Sequence, residues 1–497
     1  MIQSLPTFLV LLAGIASLPI FAVAGPPRNF SGLCEAVNSR LPGRVSYPGS
    51  PAYNASQSAY YTAEEREIEP RCVFRPQSAS EVSQIIQLVS KSRGDLAIRG
   101  GGHMLWPGAA NLDGGLIVDM RSLNSINLSE DKKTVSVGGG TLWVDLYPKL
   151  TPHNLTVSGA RVPGIAVGGY LLGCGVSFFA RSHGWSCDHV RGYEVVLSDG
   201  RIVYASSDSY RDLWLALKGG LNNFGIVTRF DIETIPQDGM WGGQAAFTYT
   251  ESAIAAQAAA FSKYMGANNT DRDAMTGLLF NFQNPGKQFS IVNTLFYTKP
   301  VADPPVFKDF LATPGQIVNQ FSITTMEKVV ALLGQLLPKS VDRSFQLVYS
   351  FRNSHPSLYR DLVHIFGNHT ATIADVENLA IQFFIQPHPI SNGTNSLGLD
   401  PKITDYVMAT VTAVYTNERR NGRKVRLAIR NMVDGQEKML RKKGIYLPFK
   451  YVNYADESQE AIASYGDEVV GRLRRVSRKF DVGQVFQRRV PGGFKLW

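Results

Sequence analysis

The tightest constraint on this chain is Ile98-Arg99-Gly100-Gly101-Gly102-His103, a short β-rich run that enters three glycines and stops on a histidine. Successive residues without Cβ let backbone N–H groups approach an anion closely and adopt positive φ, as in a turn that cradles a diphosphate. Alone, the stretch reads as a tight surface turn carrying a solvated imidazole. Its company decides, because glycine-dense turns recur beside short strands through the first half of the chain.

Regular patterning begins at Cys72, after a loop-rich arm. Ser78 and Glu81 make a capping box, and Val82, Ile85, Ile86 and Val89 follow at helical spacing, which predicts a helix ending near Gly94. Leu96 to Ile98 then form the strand that delivers the glycine turn. Leu116 to Met120 and Thr134 to Val137 are two more β-rich runs, the second closing on Gly138-Gly139-Gly140. Thr141 suits the N-cap of a helix reaching Leu150. This alternation places the region in the α+β or α/β class.

The next glycine-rich stretch, Val162 to Tyr170 and on to Gly173-Cys174-Gly175, lacks the spacing and preceding strand of a Rossmann fingerprint, so a nicotinamide cofactor is not indicated. It suits backbone lying flat against a large planar ligand. Asp199-Gly200 between two β-rich runs predicts a hairpin from Tyr193 to Tyr204, and Gly219 to Gly225 enters a strand at Ile226. Around Pro236 to Gly243 the composition shifts. Residues 240–445 alternate helical segments such as Ser252 to Met265 with strands such as Gln346 to Phe351 and Val407 to Tyr415, a second α+β domain on the substrate side.

Length agrees, since 497 residues suffice for two or three domains. The net charge of +9 is spread without a basic run interleaved with aromatics, which argues against nucleic acid as a partner. Residues 1–24 form an apolar segment ending Ala22-Val23-Ala24, expected to be a removed secretory signal that leaves no membrane anchor. Sequons at Asn29, Asn54, Asn127, Asn154, Asn268, Asn368 and Asn392 agree with a secreted or secretory-pathway protein. Of the four cysteines, Cys34 and Cys72 are expected to pair and staple the arm to the body. Cys174 and Cys187, in apolar surroundings, are expected as buried free thiols. No GxSxG, HExxH, CxxC or Walker A motif is present.

Arg99 to His103, Val162 to Gly169, Gly219 to Thr228 and Tyr451 to Asp456, in that order and separation, resemble the vanillyl-alcohol-oxidase superfamily, and within it the secreted fungal berberine-bridge-enzyme-like oxidases. The resemblance runs from about Arg71 to Lys495. It implies an α+β fold: a two-subdomain PCMH-type FAD-binding domain over residues 68–237 after an arm of residues 25–67, and a substrate domain on an antiparallel sheet over 238–445. A C-terminal segment, 446–497, returns to the flavin. It further implies that His103 carries FAD covalently, with Arg99, Gly100, Gly101, Gly102, Gly164, Val167, Gly168, Gly169, Gly225, Val227 and Asn453 as cofactor contacts. Many relatives attach the flavin again through a cysteine at the position that is Val162 here. Valine forms no thioether, and Cys174 matches a glycine of the family pattern, so a single covalent link is expected. Ile165 aligns with a smaller residue in relatives that react readily with oxygen.

The implied chemistry is oxidation of an alcohol or amine of a small metabolite or carbohydrate by hydride transfer to flavin, with molecular oxygen as acceptor and hydrogen peroxide as product. A base must stand beside the flavin. Tyr451 is expected as base or substrate hydrogen-bonder, Asn453 and Tyr454 as flavin contacts, and Gln386 as a substrate-side position. His388, beside prolines, reads as a loop residue. A dehydrogenase using another acceptor, a flavin-dependent oxidative cyclase of secondary metabolism and a flavin-binding glycoprotein without turnover are the alternatives. Substrate identity and oligomeric state are not written in the sequence.

Overall fold

The computed structural model describes residues 31–92, 94–336 and 338–497. The signal segment and the Asn29 sequon lie outside the described residues. The arm is not loop-rich: it contains the helices Ser31–Arg40, Pro51–Gln57 and Ala63–Arg66. Ser50 and Thr62 cap the second and third, their hydroxyls accepting from Tyr53 N and Glu65 N.

Three parallel strands, Cys72–Phe74, Leu116–Asp119 and Leu96–Arg99, lie side by side in that order, with Val45–Ser46 antiparallel on one edge. Helix Ala79–Lys91, capped by Ser78, crosses over and buries Val82, Ile85, Ile86 and Val89. A second sheet of five antiparallel strands runs Ile126–Leu128, Thr134–Gly138, Ile226–Glu233, Val190–Val196, Ile202–Ser206. Its last pair is the Asp-Gly hairpin expected from sequence. The third sheet is wholly antiparallel and has eight strands, ordered Gln316–Thr324, Met240–Thr248, Gln288–Tyr297, Ala274–Gln283, Ala380–Pro387, Tyr406–Tyr415, Arg343–Arg352, Tyr446–Leu447.

One face of this sheet packs on helices Glu251–Tyr264, Pro356–Ala371 and Glu418–Lys442. The other face sends Met275, Phe296, Val348 and Met408 into a core shared with the five-stranded sheet and with Phe449, Tyr451 and Val452 of the C-terminal segment. The sheet is therefore a lid over that core. Among the described residues, no helix is long and apolar enough to cross a membrane.

Cys34 and Cys72 are joined, tying the arm to the parallel sheet. Cys174 and Cys187 are joined as well, which corrects the expectation of free thiols. Cys174 sits at φ +76 between Gly173 and Gly175, and the turn lets Cys187 N donate to Cys174 O at 3.0 Å. The Cα atoms stand 4.4 Å apart, within bonding reach. Burial is common to thiols and disulfides, so apolar surroundings in the sequence do not distinguish them. Thr141 is likewise not a cap. Helix Trp143–Leu150 begins after Leu142 without a side-chain bond, and Thr141 Oγ1 is enclosed without a partner.

Candidate functional site

The glycine stretches, far apart in sequence, meet backbone to backbone. A Cβ at Gly101 would stand 2.9 Å from Ala166 N, one at Gly168 2.6 Å from Gly139 O, and one at Gly139 2.7 Å from Val227 O. Gly168 N donates to Gly139 O and Gly139 N to Thr228 O, so strand ends and turns are laced into one floor. On that floor Gly164 and Gly169 are exposed, presenting backbone without side chains. Gly225 and Val227 lie beneath it, packed on Val195 and Val196.

His103 stands at the edge of this floor. A Cβ on Gly164 would be 3.5 Å from its Cδ2 and 3.7 Å from its Nε2. Its other face stacks on Tyr61 of the arm, centroids 4.1 Å apart and planes 13° from parallel. Tyr61 N also donates to Gly102 O, which fixes the turn and the ring together. Desolvation holds the imidazole's pKa down, to about 4. It is therefore neutral over the ordinary working range, the form with a ring nitrogen free to bond carbon. A cleft of about 140 Å³ opens beside it, walled by Gly100, Leu172, Asn222, Asn453 and Phe494. Bare backbone, a neutral imidazole and apolar walls fit a large planar cofactor with an anionic tail.

Arg99 is not part of this wall. Its guanidinium is wholly buried, donating to Ser56 O at 2.6 Å, lying 3.8 Å from Asp119 and 3.9 Å from the centre of the Tyr60 ring. Any role of residue 99 toward a ligand falls to its backbone. Asn453 does face the cleft, and its Nδ2 donates to Tyr170 O at 3.1 Å and to the Tyr451 hydroxyl at 3.0 Å. A Cβ on Gly173 would run into its amide, so this glycine exists to admit Asn453.

The two tyrosines of the motif have different environments. Tyr451 is 1% exposed, packs on Trp185 and has its phenol pushed well above the ordinary range by burial. An enclosed phenol resists ionising, which weighs against Tyr451 as a base. Tyr454 is half-buried, lies at 4.9 Å from the Tyr451 ring and accepts a hydrogen bond from Arg161 Nη2 at 3.1 Å. Gln346 Nε2 holds its carbonyl at 2.8 Å, and Thr412 donates to Gln346 Oε1 at 2.7 Å, so the eight-stranded sheet sets its position. Gln386 is buried in the same sheet, its amide nitrogen 3.7 Å from Met408 Sδ and its Oε1 unpartnered. His388 lies in the loop just past strand Ala380–Pro387, as expected, but it is buried. It is enclosed by Trp185, Tyr406 and Phe449, bonded to Ser350 Oγ at 3.0 Å and held down to about 3 by burial.

Sequence reasoning missed Tyr61 and Arg161. Tyr61 belongs to the arm, where no periodic pattern points to it. Arg161 adjoins the glycine-rich run by one residue, and that adjacency was its only signal.

A family model described as an FAD binding domain matches residues 70–206. The FAD-dependent monooxygenase tpcD of Cochliobolus heterostrophus is 31% identical over 467 residues, spanning 90% of this chain and 89% of that protein. The FAD-dependent monooxygenase sdcF of Emericella nidulans is also 31% identical, over 93% of this chain and 98% of that protein. Among solved structures, the carbohydrate oxidase of Microdochium nivale superposes with a TM-score of 0.75 at 20% identity, covering 94% of this chain and 100% of that one. The 6-hydroxy-D-nicotine oxidase of Arthrobacter nicotinovorans gives 0.75 at 18% identity, over 90% and 97%. Fold and sequence together define an FAD-dependent oxidoreductase. The chain belongs to the family of these fungal FAD-dependent monooxygenases, and its fold is that of the two oxidases it superposes on.

Proposed function

We propose that the protein oxidises an alcohol or amine of a small secondary metabolite or carbohydrate, with FAD bound along the glycine floor and joined covalently to His103 alone. The observation that carries this reading is the neutral, stacked imidazole of His103 beside bare backbone at Gly164. When bound, the flavin supplies the hydride acceptor and passes the electrons on to oxygen. The chain's residues do the rest. Gly164 and Gly169 let the cofactor lie against backbone, with Gly168 packed beneath, Tyr61 fixes the imidazole plane, and Asn453 lines the cleft. Tyr454, rather than Tyr451, is the phenol assigned to the substrate's reacting oxygen and its proton. Gln386 Oε1 is a spare acceptor on the sheet side.

Acid precipitation tests the cofactor assignment. Yellow colour should stay with the wild-type pellet and leave with the supernatant of His103→Ala; a reproducibly colourless wild-type protein after added FAD removes the reading. Tyr454→Phe should lower kcat/KM roughly a hundredfold or more, and Tyr451→Phe less than about tenfold. The reverse order would return the proton-handling role to Tyr451.

The names of the fungal relatives favour a second reading, monooxygenation in secondary metabolism. An oxidase sends both atoms of oxygen to peroxide, whereas a monooxygenase leaves one in the product and one in water. Turnover under labelled dioxygen, with mass analysis of the product, separates them. The two disulfides support passage through the secretory route. So does the exposure of the six described sequon asparagines.

A further inference from the structure

Arg161 is a cation placed at the site without a counter-charge. It lies three residues before Gly164, the residue against which His103 stands. Its Nη2 donates to the Tyr454 hydroxyl at 3.1 Å. Its guanidinium carbon is 5.9 Å from the centre of the Phe384 ring, on a strand of the overlying sheet. Among the described residues no carboxylate pairs with it, whereas Arg99, Arg343, Arg352, Arg426 and Arg430 each have an acid within 4.0 Å. Among the described residues its Nε and Nη1 make no hydrogen bond, and the side chain is only half-buried. The groups it does influence are the phenols of Tyr451 and Tyr170, through space.

A half-buried guanidinium whose one side-chain hydrogen bond goes to a phenol oxygen keeps most of its donors for something else. Tyr454 accepts from Arg161, which leaves its own O–H free to donate. Guanidinium and hydroxyl together form a two-donor seat, and charge-assisted bonds of that kind are about twice as strong as neutral ones. We propose that Arg161 is a specificity-determining residue that, with Tyr454, binds a substrate through an ionised oxygen: a carboxylate, or the anion of an acidic phenol or enol. If the anion is the reacting phenol or enol oxygen itself, the substrate arrives already deprotonated and Tyr454 serves as donor. This rests on the oxidoreductase reading.

Calorimetric titration of the flavin-loaded protein tests it with four probes of similar size: benzoate and pentafluorophenolate against neutral benzamide and benzyl alcohol. The wild type should prefer an anion over its neutral counterpart by roughly ten- to hundredfold, the worth of one charged hydrogen bond. Arg161→Gln should bring that ratio to near one while changing neutral binding less than twofold, and Arg161→Lys should keep part of it. Preference for benzoate alone assigns a carboxylate, and preference for pentafluorophenolate assigns a phenol or enol anion. Equal affinity for anion and neutral in the yellow wild type overturns the proposal. So does anion preference that survives in a folded Arg161→Gln protein. A colourless protein that still prefers anions through Arg161 would overturn the flavin reading and leave the anion seat standing.

Discussion

Glycines that look alike in the sequence carry opposite consequences at single positions. Gly101 and Gly168 face backbone atoms that cannot move aside, so Gly101→Ala and Gly168→Ala should each cost roughly 1–3 kcal/mol, read as a lowered thermal midpoint. Gly169 lies inside the short helix Val167–Leu172 with open space where a Cβ would go. Gly169→Ala should stabilise the apoprotein by about 0.5–1 kcal/mol and lower its flavin content. His103 also gives a pH signature. Its folded-state pKa is depressed, so the unfolded chain binds the extra proton between about 4 and 6.5, and the histidine's contribution to stability disappears as pH falls through that window. His103→Gln should flatten the apoprotein's stability curve there. At this scale the glycine turns and the histidine were legible because their chemistry is local. The difference in burial between Tyr451 and Tyr454 was not, since three residues of separation say nothing about which ring is enclosed.

Helix Ala63–Arg66 does more than its four residues suggest. Its Glu65 accepts from Gly108 N at 3.2 Å and Ala110 N at 2.9 Å, pinning the loop that follows His103. Burial raises this carboxyl to about 7. A raised acid favours the folded state below its unfolded pKa and loses that contribution as pH climbs, here from about 4.5 to 7, a change of roughly 3 kcal/mol. Glu65→Gln should therefore gain stability relative to the wild type across that interval. The disulfide Cys174–Cys187 closes a short loop behind the floor, and replacing both cysteines by serine should cost about 2–4 kcal/mol. Strands and the Asp-Gly hairpin were readable because β-rich runs bounded by turn residues are local signals. The arm's helices carried cap signals at Ser50-Pro51 and Thr62 but are too short to show a period. The Cys174–Cys187 pairing follows from a left-handed turn whose course the sequence does not announce.

Across the whole molecule the cleft is assembled from distant parts. Asn222 Nδ2 donates to Gly492 O at 3.1 Å and Asn223 Nδ2 to Phe494 O at 2.9 Å, drawing the last residues onto the loop before Ile226. Gly493 and Phe494 then complete the wall. Deletion after Val490 should leave a folded eight-stranded sheet by circular dichroism and a protein that retains little flavin. The arm is held just as remotely: Val341 N donates to Tyr61 O at 2.9 Å, and Arg426 reaches Glu64 at 2.8 Å. The ring that steadies His103 thus leaves the ribosome early and waits for partners made some 280 residues later, and the wall waits for the final few. Flavin capture then waits for Phe494, so a stalled nascent chain released short of that residue should emerge uncoloured however much FAD surrounds it.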